Sequence, residues 1–141
     1  MKTTLARLAA AAAVILLAVP IRPAAAADET LCGKPGGSPE EVLARITRTE
    51  KLPEVYRGTD YIAYEDKPAE TVWTFTLPVM PAHPAVVCRR PKREGNDITL
   101  DMGIACKGPE QKCAELRKDF EYLNYQMMMR MKGEQPAVQP R

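Results

Sequence analysis

Alternating apolar and polar residues in the middle of the chain predict four β-strands. The clearest pattern is at 71–77, where Trp73, Phe75 and Leu77 alternate with valine and threonine, as in a strand with one buried face. Similar patterns place the other strands at 61–64, 85–90 and 98–106. The Gly-Asn pair at 95–96 predicts the tip of a hairpin between the last two strands.

Two helices flank the predicted strands. Ser38 and Glu41 form a capping-box pattern and predict a short helix over 39–50. A longer helix is expected to begin after Pro109 and to end before Gly133. Its apolar residues recur at steps of three and four and are expected to face the core: Cys113, Leu116, Phe120, Leu123, Met127 and Met131.

The order of these elements predicts a single α+β domain over 28–133. A small four-stranded antiparallel sheet would carry the short N-terminal helix and the long C-terminal helix on one of its faces. The segment 134–141 contains two prolines and no apolar periodicity, so a disordered tail is expected there.

The segment 1–27 has the three parts of a secretory signal peptide. Lys2 and Arg7 form the positive region, 8–19 is an unbroken apolar run, and the alanines at 25–27 provide a cleavage site. The apolar run is too short to cross a bilayer, so no transmembrane anchor is expected in the mature chain. The alanine-rich leader is typical of bacterial export and predicts a periplasmic location.

Removing this leader changes the charge of the chain. It takes out Lys2, Arg7 and Arg22 and no acid, so the formal charge falls from +2 to −1. A nearly neutral chain does not attract polyanions through bulk charge, and no nucleic-acid partner is expected. We interpret the basic run at 89–93 as a soluble hairpin end, rather than as a site for lipid head groups or an acidic partner.

Four cysteines in an exported chain predict two disulfides that staple the domain. The hairpin tip at 95–96 pairs residues whose numbers sum to about 191, so Cys88 should face Gly103 and not Cys106. This register favours the pairs Cys32–Cys88 and Cys106–Cys113, and the alternative is Cys88–Cys106 with Cys32–Cys113.

No catalytic machinery is recognisable in the sequence. The only serine, Ser38, is expected to cap a helix, and four paired cysteines would leave no free thiol. Nucleotide-binding and metalloprotease motifs are missing from the sequence. We therefore expect a binding or interaction module without a cofactor, rather than an enzyme.

The long helix carries a candidate interface. Tyr122, Tyr125 and Met129 are spaced so that they form a ridge on the side opposite the predicted core stripe. Exposed tyrosine and methionine in a row are typical of protein contact surfaces. The expected partner is another envelope protein or a second copy of the chain.

An alternative function is copper binding in the periplasm. Met80 and His83 lie close together in a proline-rich loop, and thioether and imidazole are suitable Cu(I) ligands. This hypothesis competes with the interaction module.

Overall fold

The computed structural model describes residues 30–134. The predicted signal peptide and all but the first residue of the predicted tail lie outside these residues. The described chain begins with a two-stranded antiparallel ribbon, β1 (Thr30–Leu31) and β2 (Lys34–Pro35). Helix α1 (Pro39–Ala44) follows and continues as a π-helical turn over Arg45–Thr49.

The rest of the domain is an antiparallel sheet followed by a long helix. The sheet is a meander in which each strand pairs with its neighbours along the chain. Its strands and the final helix are β3 (Glu54–Arg57), β4 (Tyr61–Asp66), β5 (Thr71–Thr76), β6 (Ala85–Glu94), β7 (Asp97–Cys106) and α2 (Glu110–Met131).

The α+β class is confirmed, but the prediction of four strands was wrong. The sheet has five strands, and the ribbon β1–β2 forms a second, two-stranded sheet. The missed strand of the large sheet is β3, which lies at the edge and pairs only with β4. All four residues of β3 are exposed, so it carries no burial pattern of period two.

The hairpin register predicted from its turn is the observed one. Gly95 and Asn96 lie between the paired residues Glu94 and Asp97, and Cys88 faces Gly103. The two disulfides join Cys32 to Cys88 and Cys106 to Cys113. The first ties the N-terminal ribbon to β6, and the second ties the end of β7 to the first turn of α2.

The two helices lie on opposite faces of the sheet, and the expectation that they share one face was wrong. On β6, Val86 and Cys88 pack with α1, whereas Ala85 and Val87 pack with α2. The residues 85–88 are all buried because both faces of this strand are covered. Two apolar clusters result, and the larger one surrounds Trp73.

The short N-terminal helix begins as its sequence predicts. Ser38 accepts a hydrogen bond from the backbone N–H of Glu41, and the Glu41 carboxylate accepts one from the backbone N–H of Ser38. At the other end of the chain, Gly133 has a positive φ of 75° and follows the last turn of α2.

A charged cluster holds the ribbon against the sheet. Lys34 Nζ lies 2.5 Å from Asp66 Oδ2 and 2.6 Å from Glu50 Oε2, and the Asp66 side chain is only 8% exposed. Hydrogen bonding from Lys34 lowers the pKa of Asp66 against the opposing effect of burial. A carboxyl with a depressed pKa contributes stability above its unfolded pKa, and this contribution is lost as the pH falls.

We predict that Asp66→Asn lowers the unfolding free energy by roughly 1.5–3 kcal/mol at neutral pH, because a buried charge-assisted hydrogen bond is lost. Urea denaturation at pH 7 and pH 3 should show a smaller pH dependence in the variant than in the wild type. Glu54→Gln is the control, because the Glu54–Arg57 ion pair is solvent-exposed and such pairs stabilise little. An equal effect of both substitutions would contradict the prediction.

Candidate binding groove

The apolar stripe of α2 is only half buried. Leu116 and Phe120 are 2% and 4% exposed, whereas Leu123 and Met127 are each 43% exposed and Met131 is 52% exposed. The first half of the helix packs on the β6–β7 side of the sheet, so the expectation that the whole stripe faces the core was wrong. The next buried position after Phe120 is the polar Asn124.

The helix leaves part of the sheet uncovered, and a groove lies there. It has a volume of about 400 Å³, within the range of roughly 300–1,000 Å³ that small-molecule sites occupy. Its lining contains two charged side chains, Arg89 and Asp119, among mostly apolar ones. The other lining residues are Val55, Tyr56, Tyr61, Ala63, Val72, Thr74, Phe120 and Leu123.

The edge strand β3 forms the outer wall of the groove. The register between β3 and β4 shifts between Glu54 and Tyr56, as at a β-bulge. Two consecutive side chains, Val55 and Tyr56, therefore both line the groove instead of pointing to opposite faces. They are 51% and 54% exposed, so this wall is an open apolar surface.

The floor and inner wall are aromatic. Tyr61 meets Phe120 edge to face, with ring centroids 5.9 Å apart. Burial raises the pKa of the Tyr61 hydroxyl, and the negative charges of Asp60 and Asp119 act in the same direction. Tyr61 therefore remains a neutral phenol at physiological pH.

Arg89 is the one cation among the groove-lining residues. Its guanidinium carbon lies 5.2 Å from the centroid of the Phe120 ring, and its Nη1 lies 3.6 Å from Met127 Sδ. Burial lowers its pKa, although a guanidinium stays protonated in proteins. In the part of the chain that the structure describes, Arg89 has no ion pair and its buried Nε has no hydrogen-bond partner.

The rest of the basic run behaves as a hairpin end. Arg90 pairs with Asp101 at 3.0 Å, Lys92 with Glu94 at 2.6 Å, and Arg93 with Glu70 at 3.6 Å. These side chains are partly or largely solvent-exposed. Strand alternation turns Arg89 to the face opposite Arg90 and toward α2, where it contacts Phe120 and Met127.

The predicted ridge on α2 does not carry the largest exposed apolar surface of the helix. Tyr125 is 39% exposed, while Tyr122 and Met129 are half-buried. The more exposed apolar side chains belong to the opposite stripe, at Leu123, Met127 and Met131. An interface at the ridge stays a prediction.

The structure places Met80 and His83 in different cavities. His83 lines a small one with Leu43 and Phe75, and Met80 lines another beside Leu116. His83 Nδ1 lies 2.9 Å from the Thr76 carbonyl oxygen, which leaves Nε2 as the ring nitrogen for any other ligand. Within residues 30–134, no group of three or more His, Cys, Asp and Glu side chains is arranged to hold a metal.

Two further cavities flank the free edge of β7. They have volumes of about 370 and 470 Å³ and share Ile104 and Cys106. Both are partly lined by solvent-exposed charged residues, among them Lys107 in the first and Arg117 in the second. The groove beside α2 is the cavity that contains the exposed large apolar side chains Val55, Tyr56 and Leu123.

Comparisons with protein-family models, curated proteins and solved structures find no match to this chain. Neither described helix of the domain is both long and apolar enough to cross a membrane. The candidate site therefore rests on the geometry of the chain's own residues.

Proposed function

We propose that the protein is an exported, disulfide-stapled binding module, and that the ligand in its groove is an acyl chain. The proposal of periplasmic location is supported by the leader at 1–27, and two disulfides are compatible with an oxidising compartment. We propose the groove, instead of the ridge, as the recognition surface, because its apolar side chains are more exposed.

The observation that carries the proposal is the cluster of exposed apolar residues around one concave site. Val55, Tyr56 and Leu123 are each more than 40% exposed and line the same groove. Isolated apolar residues on a surface need no explanation, but a contiguous patch marks a binding site. The patch continues along α2 through Met127 and Met131, one and two turns beyond Leu123.

The shape of the groove favours a slender ligand. Its walls come from four neighbouring strands, with Arg89 on β6, Val72 on β5, Ala63 on β4 and Val55 on β3. Three spacings between adjacent strands make this distance roughly 14 Å. An extended acyl chain matches this length and the apolar lining.

We predict that the wild-type protein binds dodecanoate below its critical micelle concentration, and that Val55→Gln weakens this binding about tenfold because a valine contact is lost. Val79→Gln is the matched control, because Val79 is also exposed, at 68%, and does not line the groove. Titration calorimetry gives the affinities, and amide resonances locate the bound chain.

Two results would overturn this proposal. One is the absence of binding to dodecanoate and to its uncharged analogue dodecanol. The other is an equal loss of affinity in Val55→Gln and Val79→Gln. Sedimentation velocity on the same samples tests self-association, and a dimer that dissociates in Val55→Gln would assign the groove to a second copy instead.

A further inference from the structure

We propose that Arg89 recognises an anionic head group, so that the ligand class is a long-chain monocarboxylate. This inference rests on the proposed function, since it names the ligand of the same groove. It arises from a separate observation, which is a half-buried cation without a counter-ion beside an apolar site.

The isolation of Arg89 is specific to this position. The other three cations of the basic run each have a carboxylate partner, although they are closer to solvent. Arg89 is held by strand β6 between Val72 and Met102 and lies under the Phe120 ring. A buried charge normally has a partner of opposite charge, because desolvation is costly. A carboxylate from a ligand would provide that partner.

The donors of Arg89 fit a carboxylate. A guanidinium presents parallel N–H groups that match the two oxygens of a carboxylate. Its Nε is enclosed by the protein and has no acceptor among residues 30–134, so a carboxylate would meet the outer end of the guanidinium, where Nη1 has only the weak acceptor Met127 Sδ at 3.6 Å. A bound carboxylate would replace a weak contact with charge-assisted hydrogen bonds.

The other charged group of the groove limits the charge of the ligand. Asp119 lines the groove on α2. Its negative charge would repel a second anionic group, which favours a monoanion over a phosphate or a dicarboxylate. The acyl chain then extends from Arg89 across β5 and β4 toward Val55.

The test compares ligands that share a chain and differ in head group. Dodecanoate, dodecanol and dodecyltrimethylammonium are titrated into the wild-type protein at pH 7.5. We expect dodecanoate to bind at least about tenfold more tightly than the other two, as a bidentate arginine contact predicts. Equal affinities for dodecanoate and dodecanol would overturn the role of Arg89 and leave the proposed function intact. Failure of all three to bind would overturn the proposed function itself.

Arg89→Gln tests the residue directly. The preference for dodecanoate over dodecanol should fall to about twofold or less, because the charged head-group contact is removed. Arg90→Gln is the matched control, since Arg90 pairs with Asp101 and does not line the groove. A preference that persists in Arg89→Gln would overturn the inference. Should Arg89→Gln fail to fold, the comparison of head groups on the wild type decides alone.

Discussion

Replacing both Cys32 and Cys88 with alanine should lower the unfolding free energy by about 4 kcal/mol. This is the larger of the losses expected for the two disulfides. The bond joins residues 56 positions apart, so its loss frees a long loop in the unfolded chain. It also connects the N-terminal ribbon to the interior strand β6, where Cys88 is fully buried. Total stability is only about 5–15 kcal/mol in a typical domain, so this change alone could bring the protein close to unfolding.

The second disulfide provides the comparison for this prediction. Cys106 and Cys113 are only seven positions apart, and replacing both with alanine should cost about 2.5 kcal/mol by the same chain-entropy reasoning. Urea denaturation of the two double variants and the wild type gives both values on one scale. A larger loss for the Cys106–Cys113 pair would show that loop length does not set the order.

Local patterns in the sequence predict the central hairpin well. A two-residue turn at 95–96 fixes the register of all later pairs, and Cys88 therefore faces Gly103. The same register disfavours a cross-strand bond between Cys88 and Cys106. Capping also depends only on near neighbours, which explains why Ser38 and Glu41 predict the start of α1.

Local patterns in the sequence do not predict how many strands the sheet has. Strand β3 has no buried face of its own, so no alternation of apolar and polar residues marks it, and it is held by pairing with β4, its neighbour along the chain. Its bulge also breaks the alternation at Val55 and Tyr56. The continuous apolar run at 85–88 is the sequence signal for a strand covered on both faces, and hence for helices on opposite sides of the sheet.

Helical periodicity in the sequence does not predict the groove. The spacing of apolar residues on α2 shows which side faces inward, but not how far the sheet extends beneath the helix. Leu123 and Phe120 therefore look equivalent in the sequence and differ tenfold in exposure. Strand alternation could have separated Arg89 from Arg90, since neighbouring residues of a strand point to opposite faces. The sequence does not show which cations of the basic run have a carboxylate partner, because those ion pairs depend on tertiary contacts.

The difference in burial along the apolar stripe of α2 leads to the second prediction with a large expected effect. Phe120→Ala should lower the unfolding free energy by about 3–5 kcal/mol, because a buried aromatic side chain leaves a cavity. Phe120 is 4% exposed and contacts Tyr61 and Arg89, so its loss would also disturb the inner wall of the groove. Leu123→Ala, three residues later, should cost less than about 1 kcal/mol, since the side chain is 43% exposed.

Ligand binding should depend on Leu123 even though the stability of the fold depends little on it. Leu123→Ala is expected to weaken dodecanoate binding about three- to tenfold with little change in stability, because Leu123 lines the groove and contributes little to the core. Chemical denaturation and calorimetry on Phe120→Ala, Leu123→Ala and the wild type separate the two effects. A loss of stability in Leu123→Ala equal to that in Phe120→Ala would mean that Leu123 is buried in solution. The groove would then be closed, and the ligand would need another site.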